Sequence, residues 1–170
     1  LLWDPNATPS SNHGVTTIIG GNCGFTLAPL TPGDADYLRK MMAKVEGMPL
    51  PALENGTDWS WETFADYLAR LDGNVAVNAG FLVGHCAIRR YVMGGEAIGN
   101  AAAPEDVEAM RAELSKAIEA GAIGFSFTTS TSHSDGDGEP VASRWASTEE
   151  LVALAEQVGQ HEGTTLEGIV

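Results

Sequence analysis

The chain has 170 residues, 44% of them hydrophobic, and this length and composition suit one domain with a sizeable core. Its 23 acidic and 9 basic residues give a formal net charge of -14, which disfavours nucleic acid or an anionic membrane surface as a partner. Two cysteines provide no disulfide framework, and the first residues lack the basic start of a signal peptide, so we expect a cytoplasmic protein.

The two ends of the sequence favour a piece of a larger protein. The chain begins without methionine in a predicted loop, and it ends on a predicted strand at residues 165–170. A strand with no helix after it is unusual in a layered α/β protein, so we expect a fragment. The composition leaves the oligomeric state open.

The first predicted strand and the loop after it are the most distinctive stretch. Residues 15–19 are rich in β-branched side chains, and three glycines between positions 20 and 24 then surround Cys23. Parallel α/β proteins bind ligands at the carboxyl ends of their strands, and these glycines would present the cysteine there. Its thiolate would be a metal ligand or a nucleophile; the alternative is a small buried side chain in a tight turn.

Helical spacing of apolar residues follows in two segments. Asp34 can cap a helix that ends at Gly47. After a proline-containing loop, Ser60 is the predicted cap of a second helix. Its apolar residues recur at intervals of three and four until residues 72–73 stop it.

Strand and helix continue to alternate in the second half of the chain. Residues 75–83 predict a buried strand that ends near His85, and Pro104 begins a helix that stops at Gly121. Residues 123–127 predict a third strand, and a polar, glycine-containing loop follows it at residues 128–138. This loop is too long for a simple connection and indicates binding.

A capping box and a final strand complete the pattern. Ser147 and Glu150 predict the start of the last helix, and residues 165–170 predict the fourth strand. The four alternations contain no hairpin signal. They predict an α/β fold with parallel strands, about half of a (β/α)8 barrel of the TIM type, occupying residues 1–170.

Motifs spread over essentially the whole chain carry a family resemblance. They are His13-Gly14-Val15-Thr16-Thr17, Gly21-Asn22-Cys23-Gly24-Phe25, Ala28-Pro29, Val45-Glu46-Gly47-Met48-Pro49, Val83-Gly84-His85, Tyr91-Val92-Met93-Gly94 and Glu119-Ala120-Gly121-Ala122-Ile123-Gly124-Phe125-Ser126. In order and spacing they resemble the N-acyl-D-amino-acid deacylases, or D-aminoacylases, of the amidohydrolase superfamily. The resemblance implies a zinc-dependent (β/α)8 hydrolase that cleaves the amide bond of a small molecule, an N-acyl-D-amino acid.

The resemblance also implies a site that this chain holds only in part. In that family the cysteine of the Gly-Asn-Cys-Gly stretch is a zinc ligand, which corresponds to Cys23. The family's His-x-His pair precedes the stretch matched by residues 3–5, and its catalytic aspartate is expected beyond Val170, so the catalytic residues are unknown. Zinc would lower the pKa of bound water to about 7 and polarise the amide carbonyl. No lysine lies at a predicted strand end to bridge two metals, so a single zinc ion is the simpler expectation.

Three more side chains are candidates for binding the substrate or for hydrogen bonding to the groups that hold the metal. His85 follows a predicted strand, where a barrel enzyme keeps its functional groups; a structural histidine bonded to a loop carbonyl is the alternative. Ser130 and His133 lie in the long loop after the third strand, which the resembling family uses to shape its pockets.

Two other functions stay open. A cyclic-amide hydrolase of the dihydroorotase or hydantoinase type shares the barrel, and a bridging lysine in later strands would identify it. A non-catalytic α/β binding module would use Cys23 as a structural residue, and metal analysis of the intact protein would distinguish it.

Overall fold

The computed structural model describes all 170 residues, and short parallel strands form its centre. The strands are β1 (Thr17–Gly20), β2 (Asn78–Phe81), β3 (Val83–Gly84), β4 (Gly124–Thr128) and β5 (Thr165–Ile169). β1 pairs with β2, and β3, β4 and β5 pair in that order, all in parallel. Only Leu82 separates β2 from β3, and the Ile123 amide donates to the Phe81 carbonyl at 2.9 Å. The two small sheets therefore form one continuous layer.

Helices make the crossovers between the strands. They are α1 (Ala35–Val45), α2 (Leu50–Asn55), α3 (Phe64–Leu71), α4 (His85–Met93), α5 (Pro104–Glu119) and α6 (Thr148–Val158). Parallel pairing requires such crossovers, because a tight turn cannot return the chain to the same end of the sheet. None of the helices has the length and apolar character needed to cross a membrane. The chain is thus a mixed α/β protein with parallel strands.

The core lies between the strands and the helices. Its fully buried members include Val83, Ile88, Met110, Leu114, Phe125 and Leu154. Helix α5 begins with Pro104 in its first turn and buries Met110 and Leu114, which lie one turn apart on the same face. Successive strand residues face opposite sides of a sheet, so the side chains of buried Phe125 and its neighbour Ser126 lie on opposite faces.

The predicted strands are confirmed to within a few residues, but the second is shorter than predicted. β2 and β3 cover residues 78–84 with an interruption at Leu82, and residues 75–77 lie before the strand. Helix α2 occupies the predicted proline-containing loop, since Pro51 falls in the first helical turn, where a missing N–H costs little. Helix α4 follows β3 directly, without a side-chain cap that would indicate its start.

The predicted cap at Ser60 is wrong. Helix α3 begins after Thr63, whose hydroxyl accepts the Asp66 amide at 3.1 Å, while the Asp66 carboxylate accepts the Thr63 amide at 3.0 Å. Trp61 precedes the helix, and its indole N–H donates to the Leu27 carbonyl at 2.6 Å. Its burial therefore comes from packing beneath a loop and not from a helical face.

Candidate functional site

Cys23 lies in a tight turn directly after β1, at the carboxyl end of the strands. The turn spans Asn22–Gly24, and Cys23 has a φ of 58°, in the left-handed region. Gly21 and Gly24 flank it with φ values of 84° and 82°. A non-glycine residue in this conformation is uncommon, and such residues concentrate at functional positions. The turn presents a free, partly exposed thiol at the edge where the sequence predicts it.

Side chains of two neighbouring strands hold this turn. The Glu167 carboxylate, on β5, accepts the backbone N–H of Cys23 at 2.6 Å. The Ser126 hydroxyl, on β4, accepts the N–H of Gly24 at 2.9 Å and donates to the carbonyl of Gly21. Sequence reasoning includes Ser126 in a motif at a strand end but assigns a role to neither residue. The one available signal is a charged residue, Glu167, in the middle of a predicted strand.

The electrostatics of the turn disfavour the thiolate form of Cys23 when no cation is bound. Burial raises the pKa of Cys23, and the carboxylates of Glu167 and Glu46 raise it further. The thiolate is the nucleophilic form, so the unassisted thiol is poorly prepared for attack at neutral pH. A bound cation has the opposite effect, because its positive charge favours the thiolate.

The chain supplies only part of a metal site. No group of three or more His, Cys, Asp and Glu side chains that could hold a metal comes together in the structure. The second cysteine, Cys86, is completely buried in α4, and burial raises its pKa to about 12. Cys23 thus fits a metal as a single ligand, through an accessible sulfur at the ligand-binding edge of a parallel sheet.

His85 is placed at the predicted edge, but its ring is enclosed. It begins α4 and is 0% exposed. Its Nδ1 lies 3.0 Å from the Ser143 hydroxyl and its Nε2 lies 2.9 Å from the Glu150 carboxylate. Burial lowers the pKa of His85, an effect larger than the opposing influence of Glu150. Because both ring nitrogens are engaged, His85 has no free polar atom for a substrate. Of the predicted roles, direct substrate binding is therefore ruled out, and a role in positioning other residues is still open.

The environment of His85 is a buried ionic network that sequence reasoning misses. The Arg89 Nε lies 2.9 Å from the Glu150 carboxylate, and both side chains are almost fully buried. Arg89 also donates to the carbonyls of Ala97 and Ala142 at 3.1 and 2.7 Å. The predicted capping box at α6 is therefore only half correct. The Ser147 hydroxyl accepts the Glu150 amide at 3.1 Å, but the Glu150 side chain turns into the core.

Ser130 and His133 lie at the same edge as Cys23. The His133 Nδ1 is 2.8 Å from the hydroxyl of Thr128, the last residue of β4. Its ring packs edge-on against Phe25, with 5.0 Å between centroids, which brings it beside the cysteine turn. The Ser130 amide donates to the same Thr128 hydroxyl at 3.1 Å. Both side chains are partly exposed, and their contact with substrate stays a prediction.

The largest cavity, about 630 Å³, lies away from this edge. Its lining includes Leu68 of α3, Val77 just before β2, and Gly121 just before β4. These residues mark the amino-terminal side of the strands, and none of the candidate residues lines the cavity. It has few convergent polar groups, so its size alone does not indicate a ligand site.

The chain belongs to the amidohydrolase family, whose profile matches residues 1–169. It is 36% identical over 164 residues to D-aminoacylase from Alcaligenes xylosoxydans xylosoxydans, an alignment that covers 96% of this chain and 29% of that protein. The chain therefore spans less than a third of the length of this relative.

Solved structures give the same likeness. A D-aminoacylase structure, described with a binuclear metal centre, superposes with a TM-score of 0.69 at 33% identity and covers 96% of this chain and 30% of that one. N-acyl-D-glutamate deacylase from Bordetella bronchiseptica, in complex with zinc and a phosphonate inhibitor, superposes with a TM-score of 0.64 at 28% identity. That superposition covers 94% of this chain and 29% of the deacylase.

Proposed function

We propose that this chain forms part of the active site of a metal-dependent hydrolase that cleaves the amide bond of N-acyl-D-amino acids. The observation that carries the proposal is the Cys23 turn, which presents an accessible thiol at the carboxyl edge of a parallel sheet. Family membership and the similarity to D-aminoacylase support the reaction class. Similarity to an N-acyl-D-glutamate deacylase supports the substrate class, a small N-acylated amino acid.

Zinc is the metal that we propose for Cys23. A thiolate is among the preferred zinc ligands, and the deacylase from Bordetella bronchiseptica was solved with zinc. Bound zinc supplies Lewis-acid polarisation of the amide carbonyl and activation of water. The solved D-aminoacylase structure is described with a binuclear metal centre in which one metal activates and the second attenuates, so the sequence expectation of a single ion stays a prediction. Metal analysis of the purified protein counts the ions directly.

We also propose that this chain forms one side of a (β/α)8 barrel within a longer polypeptide, and that this polypeptide is cytoplasmic. β1 and β5 each pair with a strand on one side only, and Ile19 and Leu166 on these strands are 55% and 47% exposed. Further strands would cover these edges. They would also supply the other metal ligands and the catalytic aspartate. Ser130 and His133 are proposed to contact the substrate from the loop after β4.

Cobalt substitution of the full-length protein tests the role of Cys23. A thiolate bound to cobalt(II) gives a ligand-to-metal charge-transfer band in the near ultraviolet, and we expect this band in the unmodified protein. Cys23→Ala should abolish the band and the amidase activity. Cys86→Ala is the matched control, because this buried thiol should keep both. A band that persists in Cys23→Ala would assign the thiolate to another cysteine and overturn the proposal.

A further inference from the structure

Gly84, Ser126 and Glu167 form one row across three neighbouring strands. The pairing register aligns Gly84 with Ser126, and Ser126 with Glu167. Aligned residues of adjacent strands project to the same face of a sheet. The row therefore presents a single surface, built from residues that lie far apart in the sequence.

Each member of the row makes a hydrogen bond to the segment that carries Cys23. The Gly84 amide donates to the Thr26 hydroxyl at 3.0 Å. The Ser126 hydroxyl bridges the backbone on both sides of Cys23, as described above, and it is completely buried. The Glu167 carboxylate accepts the N–H of Cys23 itself at 2.6 Å. Residues 21–26 are thus held by three strands in succession.

Close backbone contact adds to these bonds. A Cβ atom on Gly84 would lie 2.6 Å from the carbonyl oxygen of Gly24, a distance that no side chain tolerates. Glycine is required here because the turn lies directly on the strand. The left-handed conformation of Cys23 is in this way determined by its surroundings and not by its own preference.

We infer that Ser126 and Glu167 are positioning residues, which hold the Cys23 turn in the conformation that binds the metal. The inference rests on the proposed function. Glu167 acts through the backbone of Cys23, because its carboxylate accepts the amide N–H. Residues that orient a metal ligand commonly change metal affinity by about 10- to 100-fold when they are replaced. We expect effects of this size from Ser126→Ala and Glu167→Ala.

Glu167→Gln separates positioning from direct metal binding. The glutamine keeps an oxygen that can accept the Cys23 amide but lacks the negative charge. A positioning role predicts that Gln retains metal affinity to within about tenfold, whereas Ala does not. A direct ligand or a required charge predicts equal losses for Gln and Ala.

The measurement is a cobalt(II) titration of the metal-free, full-length protein, followed through the thiolate-to-cobalt band. Ser10→Ala and Glu162→Ala are matched controls, because both side chains are exposed and distant from the turn in sequence. Thermal melts of the metal-free variants report whether each one folds. If Ser126→Ala does not fold, the Glu167 pair decides, since Glu167 is partly exposed and its replacement leaves the core intact.

The outcomes distinguish this inference from the proposed function. No band in the unmodified protein would refute Cys23 as a ligand. A band whose affinity is unchanged in folded Ser126→Ala and Glu167→Ala would leave Cys23 as a ligand and overturn the positioning role. Equal losses for Glu167→Gln and Glu167→Ala would also overturn it, because the charge and not the amide contact would then matter. Weakened binding in both Ala variants, with Gln close to the unmodified protein, supports the inference.

Discussion

The Cys23 turn and the His85 network lie at the same edge of the sheet, but the polar side chains around them make different kinds of contact. In the turn, Ser126 and Glu167 bind backbone atoms and leave the cysteine thiol accessible. In the network, the polar groups of His85 are bound by other buried side chains, Ser143 and Glu150. Position at a strand end therefore does not by itself make a residue available to a ligand; the side chain must also keep a polar atom that no neighbour occupies.

Removal of a charged side chain from the His85 network should destabilise the folded protein. Glu150→Ala leaves Arg89 buried without a counter-charge, and we expect it to lower the free energy of unfolding by about 3–5 kcal/mol. Chemical denaturation of the full-length protein measures this loss. Glu149→Ala is the control on the exposed side of the same helix. A loss for Glu150→Ala no greater than that of the control would show that the network does not carry stability.

Replacement of Cys23 in the turn should affect activity strongly and stability little. Cys23→Ala is expected to reduce amidase activity by more than about 100-fold, since loss of a ligand should exceed the loss of a residue that merely orients one. The free energy of unfolding of the metal-free protein should change by less than about 1 kcal/mol, because the side chain is partly exposed. Steady-state kinetics and denaturation of the same preparation test both. Destabilisation as large as that of Glu150→Ala would make Cys23 a structural residue.

The pH dependence of stability should come from the network. Burial lowers the pKa of His85 in the folded protein, while a histidine in the unfolded chain has its ordinary pKa of about 6.5. Below that pH the unfolded state takes up a proton that the folded state does not, so stability falls as the pH falls. The contribution approaches about 1.4 kcal/mol per pH unit. Denaturation at a series of pH values should show a shallower dependence of stability on pH for His85→Gln than for the unmodified protein.

The smallest effect is expected in the loop after β4. Ser130→Ala should raise KM several-fold if the hydroxyl contacts the substrate, because one neutral hydrogen bond contributes about 1 kcal/mol. Stability should change by no more than about 0.5 kcal/mol, since Ser130 is partly exposed and bonds within its own loop. An unchanged KM would remove Ser130 from the proposed substrate contacts. A fall in stability larger than this would give it a structural role.

Local patterns predicted the strands and several of the helices, and local chemistry explains the exceptions. The predicted strands at 123–127 and 165–170 match β4 and β5 because their apolar, β-branched and aromatic residues favour extended structure. The predicted cap at Ser60 was wrong because Thr63, three residues later, caps the helix and forms a capping box with Asp66. Helix α2 lies in the segment predicted as a proline-containing loop, because proline is accepted in the first turn of a helix.

The sequence by itself determined that strand and helix alternate, and it located Cys23 among glycines at the end of a strand, because periodicity and turn chemistry act over short stretches. Only the tertiary structure decided what the charged residues do. Glu167 meets the amide of Cys23 across 144 positions, and Glu150 meets His85 across 65. Parallel strands bring such distant residues into register, and the glutamate of the predicted capping box turns inward, where buried Arg89 and His85 lie beside its carboxylate.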